Sequence, residues 1–189
     1  MNMYRSGFTA RRVLTLVIGL TALIGVLYSV SNFLNKAGSE QAKVRLGLGE
    51  KAPDFEAVNS LGNKVRLSDS EGQVVLLNIW ASWCKPCVKE MPLIQQVIGK
   101  DKNKTEAWFI NAGEAKGTVT QFLKSHEFHF PVIIDVTGRI SSLYKAHSLP
   151  VTYIIDRSGR LSRIIPGEIE DAARLQAWLD EAGSRSTRP

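Results

Sequence analysis

Between residues 13 and 34 the chain reads VLTLVIGLTALIGVLYSVSNFL and carries no charged side chain. As a helix rising about 1.5 Å per residue the run is about 33 Å long, a match for a hydrocarbon core of about 30 Å. It predicts one transmembrane anchor. Ser29 and Ser31 have the small-residue spacing of a cleavage site, but the run is longer than the roughly 7–15 apolar residues of a cleavable signal. Residues 35–50 are polar, contain glycine and lack periodicity, which predicts a linker, and a folded domain is expected over 51–182. Residues 183–189 read as a flexible tail.

Within 51–182 the pattern changes character several times. VVLLNIW at 74–80 is continuously apolar, as expected of a central strand covered on both faces. From Lys85 to about Lys100, Val88, Met91, Ile94 and Ile98 recur at helical spacing. The alternation continues with a strand at 106–112, a helix at 117–126, a strand at 131–135 and a helix at 138–147. VTYIID at 151–156 and RLSRIIP at 160–166, separated by Arg-Ser-Gly, predict a hairpin, and 168–182 reads as a helix with Ile169, Leu175, Trp178 and Leu179 inward. A second hairpin is expected from 54–58 and 64–67 around LGN. The order is that of an α/β domain with a mixed sheet.

Charge refines the topology more than the function. The formal net charge is +6, yet Arg5, Arg11 and Arg12 precede the apolar run with no acid beside them, so the basic excess elsewhere falls to three. An arginine-bearing N-terminal segment, residues 1–12, places that end in the cytoplasm and the domain outside it. The remaining bases are scattered and lack interleaved aromatics, so no nucleic-acid partner is expected.

Both cysteines lie in SWCKPC, residues 82–87, where the buried strand ends and a helix begins. Pro86 suits a first helical turn, because its missing N–H costs nothing there. Cys84 meets the positive end of that helix, which favours its thiolate, and Lys85 adds a nearby positive charge. Cys87, one turn inward, is placed to attack a mixed disulfide on Cys84. Zinc would need further ligands from His126, His129 and His147, none at paired ligand spacing, so no metal or other cofactor is expected. A purely structural disulfide would close too short a loop to restrain the unfolded chain much. Dithiol exchange is the reading that strand, CxxC and helix favour together.

APDF at 52–55, LLNIWASWCKPCVKEMP at 76–92, FPVIID at 130–135 and SLPVTYIIDRSGR at 148–160 together resemble the membrane-anchored TlpA/ResA-like thioredoxin-fold proteins, relatives of the CcmG/DsbE type. The resemblance implies a thioredoxin fold with an N-terminal β-hairpin and an extra helix–strand insertion at about 113–136. It implies a thiol–disulfide oxidoreductase outside the cytoplasm, with Cys84 as nucleophile and Cys87 as resolving thiol. Leu149-Pro150 matches the family's cis-proline dipeptide, which meets the client chain; a trans proline opening a strand is the plainer alternative. Where similar thioredoxins carry a buried Asp, this chain has Asn78, which cannot take a proton. Glu90 is the nearest candidate for that role, the alternative being a first-turn carboxylate that complements the helix dipole. Trp83 is either an exposed platform for clients or a packing residue.

The CcmG/DsbE type usually carries Glu shortly after the cis-proline, where this chain has Val151-Thr152. Reduction of disulfide-bearing clients, apocytochrome c among them, with electrons from a membrane donor, is the leading expectation. An oxidase or isomerase on the same scaffold is the alternative, and a tethered binding module with incidental thiols is a third reading.

Overall fold

The computed structural model describes residues 6–41 and 46–184. Residues 1–5, 42–45 and 185–189 lie outside the described residues, and with them Arg5, part of the expected linker and most of the expected tail. Two compact units divide the chain, residues 1–44 and 45–189.

The described residues of the first unit form one helix, α1 (Ser6–Gln41). It continues past the apolar run, so residues 35–41, expected in the linker, are helical. The described side chains of α1 are Leu14 and residues 16–32, all exposed. Among the described residues no helix is long and apolar enough to cross a membrane.

The second unit is a five-stranded mixed sheet with helices on both faces. Strands β3 (Val75–Trp80), β4 (Glu106–Ala112), β5 (Val132–Asp135), β6 (Val151–Ile155) and β7 (Leu161–Pro166) lie in the order β5-β4-β3-β6-β7. β3 pairs in parallel with β4 and antiparallel with β6, so it is the central strand the unbroken apolar run called for, and every residue in it is buried. A separate hairpin, β1 (Glu56–Val58) and β2 (Lys64–Arg66), is joined to the β5 edge by the Asn59–Ile133 bridge. Covering part of that edge limits pairing with other chains.

Side chains alternate across the sheet and build two cores. On one face Leu76, Trp80 and Phe109 pack with Met91 and Ile94 of α2 (Lys85–Ile98), Val119 of α3 (Lys116–Ser125), and Leu175 and Leu179 of α5 (Ala172–Ser184). On the other, Leu77, Ile79, Ile110 and Tyr153 pack with Phe55 and with Ile140 of α4 (Arg139–Leu143). α3 and β5 form the expected insertion.

The helix expected at 138–147 is the short α4, which ends at Leu143, and three further boundaries move for local reasons. The last helix starts at Ala172 rather than 168, because Asp171 accepts from the amides of Ala173 and Arg174 and so caps it. Ile169 is buried as expected, but in the loop before the helix. At the other end α5 runs to Ser184, so the tail begins later than 183; Gly183 sits where a Cβ would lie 2.5 Å from Asn103 Oδ1. The domain also begins before Lys51, since the amide of Gly49 donates to the carbonyl of Leu161 and Leu46 packs on the core.

Candidate functional site

β3 ends at Trp80, and the chain turns through Ala81–Trp83 into α2, whose N-cap is Cys84. The site thus lies at the carboxyl end of a central strand, where open α/β sheets gather their reactive groups. Cys84 and Cys87 form a disulfide across one helical turn, with Cα atoms 5.3 Å apart. Cys84 Sγ accepts from the amide of Cys87 at 3.3 Å. Its sulfur therefore already occupies the position in which a helix N-cap receives an orphan N–H, the position that would stabilise a thiolate after reduction. Cys84 is 5% exposed and Cys87 fully buried, so only the first offers an edge to solvent. Lys85 and Pro86 fill the first two helical positions, and Lys85 is exposed.

Glu90 lies in the second turn of α2 and is 1% exposed, so it is not a first-turn carboxylate facing solvent. Asn78 Nδ2 donates to its Oε1 at 2.8 Å, and the Ile169 amide donates to its Oε2 at 2.7 Å. Burial drives the Glu90 carboxyl up to about 7; these two hydrogen bonds oppose the rise and Glu168 adds to it. Asn78 spends its second amide proton on Thr152 Oγ1 at 2.9 Å. A buried polar chain therefore links β6, β3, α2 and the loop before α5. Asn78 stands between the carboxylate and the strand that follows Pro150.

The Leu149–Pro150 peptide bond is cis rather than trans. Pro150 begins the turn into β6, the antiparallel neighbour of β3, and its carbonyl accepts from the amide of Gly167. Leu149 packs partly against both cores. Trp83 is 70% exposed, which excludes simple packing. On the outer face of α2, Lys89 pairs with Glu168 and Glu170. His126 and His129 are exposed around the end of α3, and His126 stacks on Phe122.

Sequence reasoning missed the groups that come from far along the chain. Thr152 and the Ile169 amide reach Glu90's neighbourhood only through strand pairing and helix docking. Glu114, in the loop after β4, accepts from Ser82 N–H at 2.7 Å, Ser82 Oγ–H at 2.5 Å and Asn111 Nδ2 at 2.7 Å. Burial alone would raise its carboxyl, but the bonds from Ser82 and Asn111 outweigh burial and hold it below the ordinary range. No motif in the sequence announces either group of contacts.

A thioredoxin-like sheet with two cysteines at a helix N-terminus, a cis-proline on the adjoining strand and a buried carboxyl behind them defines a dithiol–disulfide exchange protein. The chain belongs to the AhpC/TSA family, whose model matches residues 48–164. It is 37% identical over 125 residues to a thiol-disulfide oxidoreductase ResA of Bacillus cereus, covering 66% of this chain and 70% of that one. The ResA of Geobacillus kaustophilus is 35% identical over 127 residues, with 66% and 70% covered. Among solved structures, a putative thiol:disulfide interchange protein DsbE from Chlorobium tepidum aligns with a TM-score of 0.68 at 33% identity, over 73% of this chain and 99% of that one.

Proposed function

We propose that this thiol–disulfide oxidoreductase works as a reductase of disulfide-bearing client proteins outside the cytoplasm. The observation that carries the chemistry is Cys84 at the N-cap of α2, its sulfur already accepting an amide hydrogen bond. In the reduced protein the Cys84 thiolate attacks one sulfur of the client disulfide. A mixed disulfide forms and the client's other sulfur leaves as a thiolate, which takes a proton from water. Cys87 then gives its proton to Glu90 and attacks Cys84, releasing the second client thiolate. Two electrons have passed from the dithiol to the client, and Cys84–Cys87 is left as the disulfide.

Pro150 supports this reading as the backbone beside which the client chain aligns, with Leu149 next to it. Trp83 offers an exposed apolar platform. Lys85, Pro86 and Asn78 tune the site, the first two at the helix start and the third by holding Glu90. Apocytochrome c is the client class that the kinship with ResA and DsbE proteins favours, and the dithiol is restored by a membrane electron donor.

Anchoring belongs to the same proposal. The sequence of 13–34 is uncharged, Arg5, Arg11 and Arg12 precede it, and α1 carries Leu16, Val17, Ile18, Leu23, Ile24 and Leu27 exposed. A single pass through the cytoplasmic membrane, N-terminus inside, places the domain in the periplasmic or extracytoplasmic space.

The direction of electron flow is tested by equilibrating the protein in dithiothreitol or glutathione buffers, trapping thiols by alkylation and reading the mass. A reductase lies nearer the roughly −270 mV of thioredoxin than the roughly −120 mV of DsbA. A value at the oxidising end would make the protein an oxidase.

A further inference from the structure

We propose that Glu114 is a positioning residue of the exchange reaction, clamping the Ser82–Trp83 segment so that Trp83 and Cys84 meet a protein client together. The inference rests on the reading of Cys84 as the attacking thiol and Trp83 as the client platform.

The clamp follows from the topology. Asn111 lies opposite Trp80 in the parallel β3–β4 pairing, so its side chain stands beside the end of the strand that feeds the CxxC turn. Gly113, at φ +77°, turns the chain sharply after β4, and its amide is fixed to the carbonyl of Asp135 at the end of β5. A left-handed φ of this size is one that glycine adopts without strain. That turn brings Glu114 back across the sheet to a residue 32 positions earlier in the chain. One carboxylate oxygen receives the Ser82 amide and the Asn111 amide, and the other receives the Ser82 hydroxyl. Three donors converge on one partly buried anion. Hydrogen bonds to a charged acceptor are about twice as strong as neutral ones, so this is a stiff link between the head of the insertion and the active turn.

The same occupancy separates Glu114 from Glu90. Glu114 has its oxygens committed to the turn, and its carboxyl stays ionised through the neutral range, so it does not exchange protons with the thiols. Its role is geometric. Trp83, the residue after the clamped serine, is 70% exposed, so the placement of its backbone rests on the turn that Glu114 holds. A small disulfide needs only the Cys84 sulfur. A protein disulfide must also seat its flanking backbone between Trp83 and Pro150, and loses productive orientation when the turn shifts.

The test compares full-length Glu114→Ala, Glu114→Gln and Ser82→Ala with the wild type in detergent. Each reduced protein is reacted with insulin as the protein disulfide and with 5,5′-dithiobis(2-nitrobenzoate) as the small one. Misplacement of about 1 Å can cost as much as about 100-fold in rate, so Glu114→Ala is expected to slow insulin reduction at least about tenfold while the small-disulfide rate stays within about threefold. Glu114→Gln keeps an acceptor for the Ser82 amide and should recover part of the loss. Ser82→Ala removes one of the three contacts and should fall between wild type and Glu114→Ala, which covers the case in which Glu114→Ala does not fold. Equal slowing with both disulfides, tracking lost thermal stability, would reduce Glu114 to a structural residue and overturn the proposal. Unchanged insulin rates in all three variants would overturn it too, with the exchange function intact. A wild type that reduces the small disulfide but not insulin would sink the client reading itself and the clamp's role with it.

Discussion

Glu90 is a carboxyl whose ionisation the fold opposes without preventing it near neutral pH. Its pKa of about 7 stands above the ordinary 4.5, so the folded state binds a proton that the unfolded chain has released between those values. The contribution to stability is fully present below about pH 4.5 and is lost as the pH rises through about 7. At about 1.4 kcal/mol per pH unit the full cost of ionisation is about 3 kcal/mol. Urea unfolding of the oxidised protein should show stability falling between pH 5 and pH 8, and Glu90→Gln should flatten that slope. The same substitution should move the pH profile of dithiol exchange if Glu90 takes the Cys87 proton as proposed. A Gln variant with the wild-type pH slope and wild-type exchange profile would remove Glu90 from both roles. The cysteines are distinguished by burial: Cys84 has an edge at the surface and Cys87 has none. Cys87→Ser should accumulate mixed disulfides with insulin or glutathione, detected by mass, whereas trapping by Cys84→Ser would reverse the order of attack.

At the scale of elements, Pro150 leads directly into β6, and β6 delivers Thr152 to Asn78. If a client aligns its backbone beside this turn as proposed, Pro150→Ala should slow insulin reduction more than reduction of a small disulfide. Thr152→Val, nearly the same shape without the acceptor, should leave the fold in place and shift the pH profile of exchange through loss of Asn78's anchor; an unshifted profile would show that Asn78 is held by Glu90 alone. Features confined to one element are legible in the sequence. The unbroken run 74–80 spells out the central strand, and Pro86 beside Cys84 marks a helix start. The beginning of α5 is less readable because Ile169 continues the apolar spacing, while the amide that would enter the helix is spent on Glu90. Glu90 can be nominated from its distance to Cys87, but its burial and its partners depend on contacts 12 and 79 residues away. Glu114 is hidden for the same reason, since a lone glutamate after a strand has no distinguishing pattern.

For the whole molecule, the division at residue 44 separates the helix proposed as the anchor from the unit that carries the exchange site. Every group assigned to the dithiol reaction, from Asn78 to Ile169, lies in the 45–189 unit. The contacts that close the entry to that unit also lie within it: the Gly49 amide on Leu161, the Arg160 guanidinium on the Gly49 carbonyl, and the Lys51–Arg160 bridge. A chain beginning at residue 45 therefore keeps both cores and the full hydrogen-bonded site, as expected of a domain with its own core. Expressed alone, residues 45–189 should unfold in one cooperative transition and reduce insulin within about twofold of the full chain in detergent, because the described residues of both cores all lie at 46 or beyond. In fractionated cells the full chain should sediment with membranes and resist alkaline carbonate washing, and the truncated form should not. A full chain released by carbonate would refute the anchor while leaving the exchange chemistry standing. A truncated domain that fails to fold would place part of the 45–189 unit's stability in the first 44 residues, against the division of the chain into two units.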